Sequence, residues 1–295
     1  MFKEYSEGAA RIKYEKAFLN SAAKLNRDIG IAIIGSEGSP IKMLDATAAT
    51  GLRGMRYMLE SRVSACTFLE INPSVFKELQ ANLDNGRIAA EAFNVGIQEF
   101  CNSTKEKYEL VELDPFGGIY PYIFDIAKVL KGGSYLFATA TDTAVLCGAH
   151  RDACIKLYSA KPMHDELCHE VGLRIMIGYI ARTLAQFNFG IDVLLGIFHD
   201  HYMRVNIKVL AGARNATESV RSLGFALHCP SCGHIESIMG IAIAARKCPE
   251  CSADMSVAGP LWIGKLKDDL AIRKILAYAK KYGDSKLLSF SEKLS

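Results

Sequence analysis

The sequence predicts an α/β fold: a Rossmann-like, mainly parallel sheet ending in an antiparallel hairpin, with a small zinc-ribbon-like domain at the C-terminal end. Three observations carry this expectation. Short β-rich runs alternate with helical patterns through the first two-thirds of the 295 residues, and strands separated by helices form parallel sheets with crossovers. Two long β-rich runs then follow one another with only His199-Asp200-His201 between them, which suits a hairpin and is too short for a crossover. Beyond residue 212 the periodicity fades and two cysteine pairs appear. The expected domains are therefore 1–212 and 213–295.

Taken in order, Ile41–Asp45 reads as a strand and Ala46–Gly54 as a glycine-containing turn opening a helix that runs to Glu60. Cys66–Glu70 is a second strand, and Pro73 is well placed at the start of the next helix. Glu91–Val95 and Tyr108–Asp114 are a third and a fourth strand. Tyr120–Leu130 reads as a helix stopped by Gly132-Gly133, and Ser134–Thr139 as a fifth strand. Glu166–Phe187 is a long helix with Leu173, Met176, Ile177, Ile180 and Leu184 at helical spacing. Asp192–Phe198 and Tyr202–Leu210 form the hairpin. Residues 259–295 read as a Gly-Pro turn and a basic helix.

Composition narrows the class. Half of the residues are hydrophobic and 23% are charged, as expected of a globular chain with a sizeable core. No apolar run reaches the length of a membrane span, and the polar N-terminus lacks a secretory apolar region. A cytoplasmic protein is expected, and a monomer. The nine cysteines are then thiols or metal ligands rather than disulfides. The net charge of +3 is small, but Lys265, Lys267, Arg273, Lys274, Lys280, Lys281, Lys286 and Lys293 gather at the C-terminal end. Concentrated basic charge attracts a phosphate backbone; a merely solvated basic helix is the alternative.

Cys229-Pro-Ser-Cys232 and Cys248-Pro-Glu-Cys251 are two C-x2-C pairs. Each puts two thiolates on one tight turn, and two such turns supply four sulfurs for tetrahedral zinc. Four sulfur ligands leave no open position, so the metal is expected to be structural and His228 and His234 bystanders. A redox dithiol is the alternative, and it seldom comes duplicated.

Asp45-Ala-Thr-Ala-Ala-Thr-Gly51-Leu-Arg53-Gly54 follows a strand and opens a helix. It lacks the G-x-G-x-x-G of dinucleotide sites, which disfavours a nicotinamide-dependent oxidoreductase. Small residues here let a ligand lie close to backbone at the carboxyl end of a strand. Glu70, about 20 residues beyond Gly51 at the end of the next strand, stands where an acid takes ribose hydroxyls. Turn and acid together favour S-adenosylmethionine. The chemistry points to Leu113-Asp114-Pro115-Phe116-Gly117. Methylating an exocyclic amine requires the nitrogen lone pair to be drawn out of the ring toward the donor. A carboxylate accepting the N–H bond does this, while an aromatic face holds the base. Asp114 and Phe116 supply both, Asp114 can also accept the departing proton, and a strand-terminating turn with a surface acid is the alternative.

These residues resemble a known family, the tRNA (guanine-26-N2) dimethyltransferases of archaea and eukaryotes. The shared segments include Glu7-Gly8-Ala9, Leu25-Asn26-Arg27-Asp28, Asp45-Ala46 with Thr50-Gly51-Leu52-Arg53-Gly54, Leu113-Asp114-Pro115-Phe116-Gly117 and Ala140-Thr141-Asp142. Others are Leu146-Cys147-Gly148-Ala149-His150, residues 166–174, Gly190–Val193, His199–Tyr202 and Gly259–Gly264. The resemblance implies a class I S-adenosylmethionine-dependent methyltransferase acting on tRNA. It implies Arg27 and Arg53 at the carboxylate end of the cofactor, Asp45 and Gly51 in its loop and Glu70 on its ribose. Gly96 and Ile97 would lie by the adenine, where the family's usual acid is absent, and Asp114 would be the catalytic acid. Two features depart from the pattern. Gly118 replaces the serine usual after Asp-Pro-Phe-Gly, and archaeal members continue into a fuller C-terminal tRNA-binding domain where this sequence ends at Ser295. The alternatives are N2-methylation of another tRNA position or another RNA, and a catalytically silent RNA-binding relative.

Overall fold

The computed structural model describes residues 2–244 and 246–294; Met1 and Ser295, the outer limits of the two expected domains, lie outside the described residues. The chain begins with a hairpin, β1 (Lys3–Glu7) and β2 (Ala10–Tyr14), and a helix, α1 (Lys24–Gly35), whose residues Asn26 to Ile34 are all buried. The alternation anticipated from the sequence follows: β3 (Ile41–Asp45), α2 (Leu52–Glu60), β4 (Val63–Leu69), α3 (Pro73–Gly86), β5 (Glu91–Phe93), α4 (Ile97–Ser103), β6 (Leu110–Leu113), α5 (Ile123–Ile126) and β7 (Tyr135–Ala140). Helices α6 (Thr143–Leu146), α7 (Arg151–Tyr158) and α8 (Cys168–Ala185) lead to strands β8 (Phe189–His199) and β9 (Tyr202–Ala211). The remainder is α9 (Ala213–Arg221), β10 (Leu223–His228), β11 (Ile235–Met239), β12 (Ser256–Trp262), α10 (Asp269–Tyr282) and α11 (Ser285–Leu294).

The main sheet has the strand order β5-β4-β3-β6-β7-β9-β8. Its first five strands are parallel neighbours, with Leu113 opposite Ala138 in the β6–β7 pair. Strands β8 and β9 form the expected antiparallel hairpin, with His199 opposite Tyr202. This is the α/β, class I methyltransferase-like arrangement, a mixed sheet that carries its ligands at the carboxyl ends of the parallel strands. A separate antiparallel sheet has the order β11-β10-β12.

Some boundaries differ from the sequence reading. The helix anticipated over Tyr120–Leu130 shrinks to Ile123–Ile126: Gly117 takes φ +82°, and Pro121 disfavours helical backbone at Tyr120. The long helix starts at Cys168 rather than Glu166, since Asp165 Oδ1 accepts from Leu167 N–H at 3.0 Å and turns the chain just before it. The stretch after 212 is also richer in structure than its weak periodicity suggested. The basic tail is two helices, parted at Gly283 with φ +67°.

The chain folds as two compact units. The first comprises Met1–Asp114, Lys128–Ala138 and Lys267–Ser295; the second comprises Pro115–Ala127 and Thr139–Leu266. The boundary anticipated at 212/213 does not coincide with them. Helices α10 and α11 belong to the first unit, where Lys274 Nζ pairs with Glu37 at 2.7 Å and Lys24 Nζ with Asp284 at 2.6 Å. The β10–β12 sheet shares the second unit with α8, whose Arg174 donates to the carbonyls of Trp262 and Gly264, each at 3.0 Å. Each unit has its own buried residues: Ile175, Met176, Ile177 and Ile180 of α8 are fully buried, as are Met43, Leu44, Leu110 and Val111 of β3 and β6.

Candidate active site

The first unit gathers the residues expected around a cofactor. Asp45, at the end of β3, is 1% exposed, and its Oδ2 accepts from the Gly54 N–H at 3.1 Å. Burial pushes its carboxyl up to about 7, against the pull of Arg53 and reinforced by Glu112. The chain then turns through Ala49, φ +47°, and Gly51, φ +81°, a conformation that suits glycine. Helix α2 packs so tightly on β4 that a Cβ at Gly54 would sit 2.2 Å from the Phe68 ring. The Glu70 carboxylate joins two loops: Oε2 accepts from Ala49 N–H at 3.1 Å and Oε1 from Asn72 N–H at 2.7 Å. A carboxylate oxygen can accept more than one hydrogen bond, so Glu70 keeps capacity for a diol. Gly96 caps α4, Ile97 is its first residue, and the exposed Ile71 side chain lies against Gly96, 3.3 Å from where its Cβ would be. A left-handed loop, an acid fixed at a strand end and an aliphatic flank beside bare backbone fit an adenosyl group.

The two arginines are more constrained than the sequence suggested. Arg27 is buried and grips Glu7 with both arms, Nε to Oε1 at 2.7 Å and Nη2 to Oε2 at 2.6 Å, and it also donates to the Asn20 carbonyl at 3.2 Å. Arg53 donates to Asn26 Oδ1 at 2.8 Å, forms an ion pair with Asp114, and lies 3.6 Å from Glu112 Oε2. Burial works against its charge, but Glu112 and Asp114 more than offset that and keep the guanidinium protonated. Tyr57 O–H completes the cluster by donating to Glu112 Oε1 at 2.5 Å.

Asp114 closes β6, and its N–H donates to Thr47 Oγ1 at 2.9 Å. Its carboxylate remains partly accessible, at 27%. Two residues along, in the second unit, Phe116 is 79% exposed. The loop that carries it is tied down: Gly117 N–H donates to Thr141 Oγ1 and Thr141 N–H to the Gly117 carbonyl, both at 2.9 Å. An accessible carboxylate on a rigid strand end can accept an N–H bond from an aminated base.

The four cysteines also converge. The sulfurs of Cys229, Cys232, Cys248 and Cys251 all lie within 4.8 Å of one another, and Cys229–Cys251 and Cys232–Cys248 are each 3.5 Å apart. Tetrahedral zinc with Zn–S bonds near 2.3 Å needs sulfurs roughly 3.8 Å apart, so the set fits. The two turns are alike. Gly233 N–H donates to the Cys229 carbonyl and Ser252 N–H to the Cys248 carbonyl, both at 2.9 Å, with φ +77° at Gly233 and +62° at Ser252. His228 is held elsewhere, with Nδ1 2.9 Å from Asp165 and Nε2 3.2 Å from Glu166.

Residues 4–294 match the family described as N2,N2-dimethylguanosine tRNA methyltransferase. The tRNA (guanine(26)-N(2))-dimethyltransferase of Methanothermobacter thermautotrophicus is 36% identical over 278 residues, covering 92% of this chain and 72% of the relative. The chain belongs to this family. The enzyme of the same name from Thermococcus kodakarensis is 33% identical, with 98% and 81% covered. Trm1 of Pyrococcus horikoshii, solved with S-adenosyl-L-methionine, superposes with a TM-score of 0.90 at 29% identity over 98% of this chain and 82% of that one. A putative transferase of the same organism, 12% identical with a TM-score of 0.51 over 72% of each chain, shares the fold alone.

In this family member the sequence reading overlooked several residues that shape the site. Asn26 stands immediately before Arg27 and is the side chain that holds Arg53. Glu112 is an acid inside the otherwise apolar Leu110–Leu113 strand and is fully buried; that mismatch was a readable signal. Glu7 of β1 stands in a segment shared with the family, but its pairing carried no signal, because its partners Arg27 and Arg56 are distant in sequence.

Proposed function

We propose that this chain transfers methyl groups from S-adenosyl-L-methionine to the exocyclic N2 of guanosine 26 in tRNA, adding two in succession. The observation that carries the reading is Asp114, accessible at a strand end and fixed by Arg53, beside a loop fit for an adenosyl group. Bound S-adenosyl-L-methionine supplies an electrophilic methyl group on a sulfonium. Glu70 would take the ribose hydroxyls, Gly96, Ile97 and Ile71 would flank the adenine, and the Asp45–Gly51 turn would keep backbone close to the sulfonium end. Arg27 and Arg53 would place positive charge toward the cofactor carboxylate. Asp114 accepts an N2–H of the guanine, draws the lone pair out of the ring and then takes the proton, while Phe116 holds the base by stacking.

The four-cysteine cluster would hold one structural zinc with no open coordination position. The exposed cations of α10 and α11 would lie on tRNA phosphates, in a monomeric cytoplasmic enzyme. No helix among the described residues is long and apolar enough to cross a membrane.

The test is methyl transfer from labelled S-adenosyl-L-methionine to unmodified tRNA, with the product mapped by mass spectrometry. N2-dimethylguanosine at position 26 is expected. Label at another guanosine would change the address, and RNA binding without label would reject the enzyme. Asp114→Asn should lose transfer by at least about a hundredfold with cofactor affinity kept. Turnover equal to the unaltered protein would remove Asp114 from the chemistry.

A further inference from the structure

Strands β6 and β7 are parallel neighbours, and their carboxyl ends carry the two segments that a ligand above the sheet would meet. The first is Asp114-Pro115-Phe116-Gly117-Gly118. The second is Thr141-Asp142, to which the proposed chemistry gives no task. The two segments are stitched together by the reciprocal bonds between Gly117 and Thr141.

The Asp142 carboxylate lies against Gly118, the residue after Gly117. A Cβ at Gly118 would lie 2.6 Å from Asp142 Oδ2 and 2.7 Å from the Tyr120 ring, so the bare backbone of Gly118 is what lets the carboxylate rest there. Tyr158 O–H donates to Oδ2 at 2.9 Å. Tyr158 is itself packed edge-on between Tyr120 and Tyr179, with ring centroids at 5.6 Å and 5.5 Å, and Tyr179 O–H is anchored on the Tyr120 carbonyl at 2.9 Å. The other oxygen, Oδ1, is buried and has no hydrogen-bond partner among the described residues. Burial raises the carboxyl above its ordinary range, with Tyr158 opposing. A carboxylate with one oxygen paired and the other buried without a partner incurs a desolvation cost that its own fold offsets only in part.

We propose that Asp142 is the residue that reads the acceptor base, accepting the N1–H of a guanine stacked on Phe116. The inference rests on the reading of the chain as a guanine N2-methyltransferase and adds to it a reader of the base. Asp142 handles the ring N–H, which persists through both methylations. Guanine carries a proton at N1 next to the 2-amino group; adenine offers an acceptor at N1 and no amine at C2. A fixed carboxylate at that edge therefore selects guanine and repels adenine.

The experiment compares two tRNAs that differ at the target position, one with guanosine and one with 2-aminopurine riboside, which keeps the 2-amino group but has an unprotonated N1. For the unaltered protein, kcat/KM should favour guanosine by about a hundredfold or more, because a site built around an N–H rejects the analogue lacking it. Asp142→Asn preserves the shape, and either orientation of its amide narrows the gap: the oxygen is a weaker acceptor, and the NH2 suits an unprotonated N1. The guanosine-to-2-aminopurine ratio should fall about tenfold or more, with the melting temperature and S-adenosyl-L-methionine affinity unchanged. A variant that loses activity on both tRNAs equally, or on neither, would show that Asp142 only supports the loop. If the variant does not fold, the unaltered protein still decides, since a preference of less than about threefold would overturn the proposal. Failure of the unaltered protein to methylate the guanosine tRNA would count against the enzymatic reading itself.

Discussion

The guanidinium of Arg53 is ion-paired with the carboxylate of Asp114 while it donates to Asn26 Oδ1 at 2.8 Å. One planar group thereby aims the proposed acid and neutralises part of a buried acidic cluster that includes Glu112 and Asp45. Lysine would retain the charge without the fork. Arg53→Lys should fold, bind cofactor and lose roughly ten- to a hundredfold in kcat, as expected when one positioned polar contact is removed. Arg53→Met removes the counter-charge altogether and should destabilise the protein by about 3–5 kcal/mol. Urea unfolding and single-turnover methylation separate the two effects. A lysine variant with unaltered kcat would show that the pair does not orient Asp114.

Asp45 makes stability depend on pH in a direction opposite to ordinary acid denaturation. Its carboxyl is raised from 3.8 to about 7 in the folded chain by burial, so between those values the native state binds more protons than the unfolded one. The native contribution is complete below about pH 4 and is lost as the pH rises through about 7, by an amount on the order of 4 kcal/mol. Asp45→Asn stays neutral and can still accept from the Gly54 N–H. Its stability should equal or exceed that of the unaltered protein at pH 8, and the advantage should all but vanish by pH 4. Unfolding curves at the two pH values check this, and parallel pH dependence would refute it.

What the sequence revealed and what it hid follow from how local each signal is. The strand-end positions of Asp114 and Glu70 were legible because each ends a β-rich run at a turn. The four cysteines were legible from spacing alone. The side-chain partners of Arg53 were not legible, because Asn26 comes from α1 and Glu112 and Asp114 from β6 and its end. The N-terminal hairpin was missed for a similar reason. It is held by groups far along the chain: Glu78 accepts from the N–H groups of Glu15, Lys16 and Ala17 at 2.9–3.1 Å, and Asn82 Oδ1 from Lys13 at 2.8 Å. Helix α10 was assigned to the wrong neighbours because its buried face, Ala271, Ile272, Ile275 and Ala279, says only that it packs, not on what.

Loss of zinc should not melt the whole β10–β12 sheet. Strand β12 is anchored on α8, where Arg182 donates to the Pro260 carbonyl at 3.2 Å and Arg174 to the Trp262 carbonyl at 3.0 Å. The cysteine turns rest on a much smaller apolar cluster of Phe225, Leu227, Cys229, Cys248 and Met255. Small cores of this kind depend on their metal. Cys232→Ser, or a strong chelator, should reduce zinc from one per chain to none. Amide exchange should speed up in residues 229–255 while β12 stays protected. Unchanged zinc on elemental analysis would contradict the assignment, and uniform loss of protection through residue 262 would contradict the anchoring.

The basic helices offer the last prediction. Arg273, Lys280 and Lys281 lie on one exposed face of α10, at i, i+7 and i+8, whereas Lys274 is committed to Glu37. Exposed cations gain little from the fold, so replacing all three by alanine should leave stability within about 0.5 kcal/mol. If they lie on phosphates, each lost contact releases fewer counterions. The slope of log affinity for tRNA against log salt should then flatten by roughly 0.7–0.9 per residue. KM for tRNA should rise while kcat at saturating tRNA holds, because these exposed side chains of α10 act on binding alone. A variant with the original salt slope would leave α10 as a solvated surface and move the search for the RNA track elsewhere on the molecule.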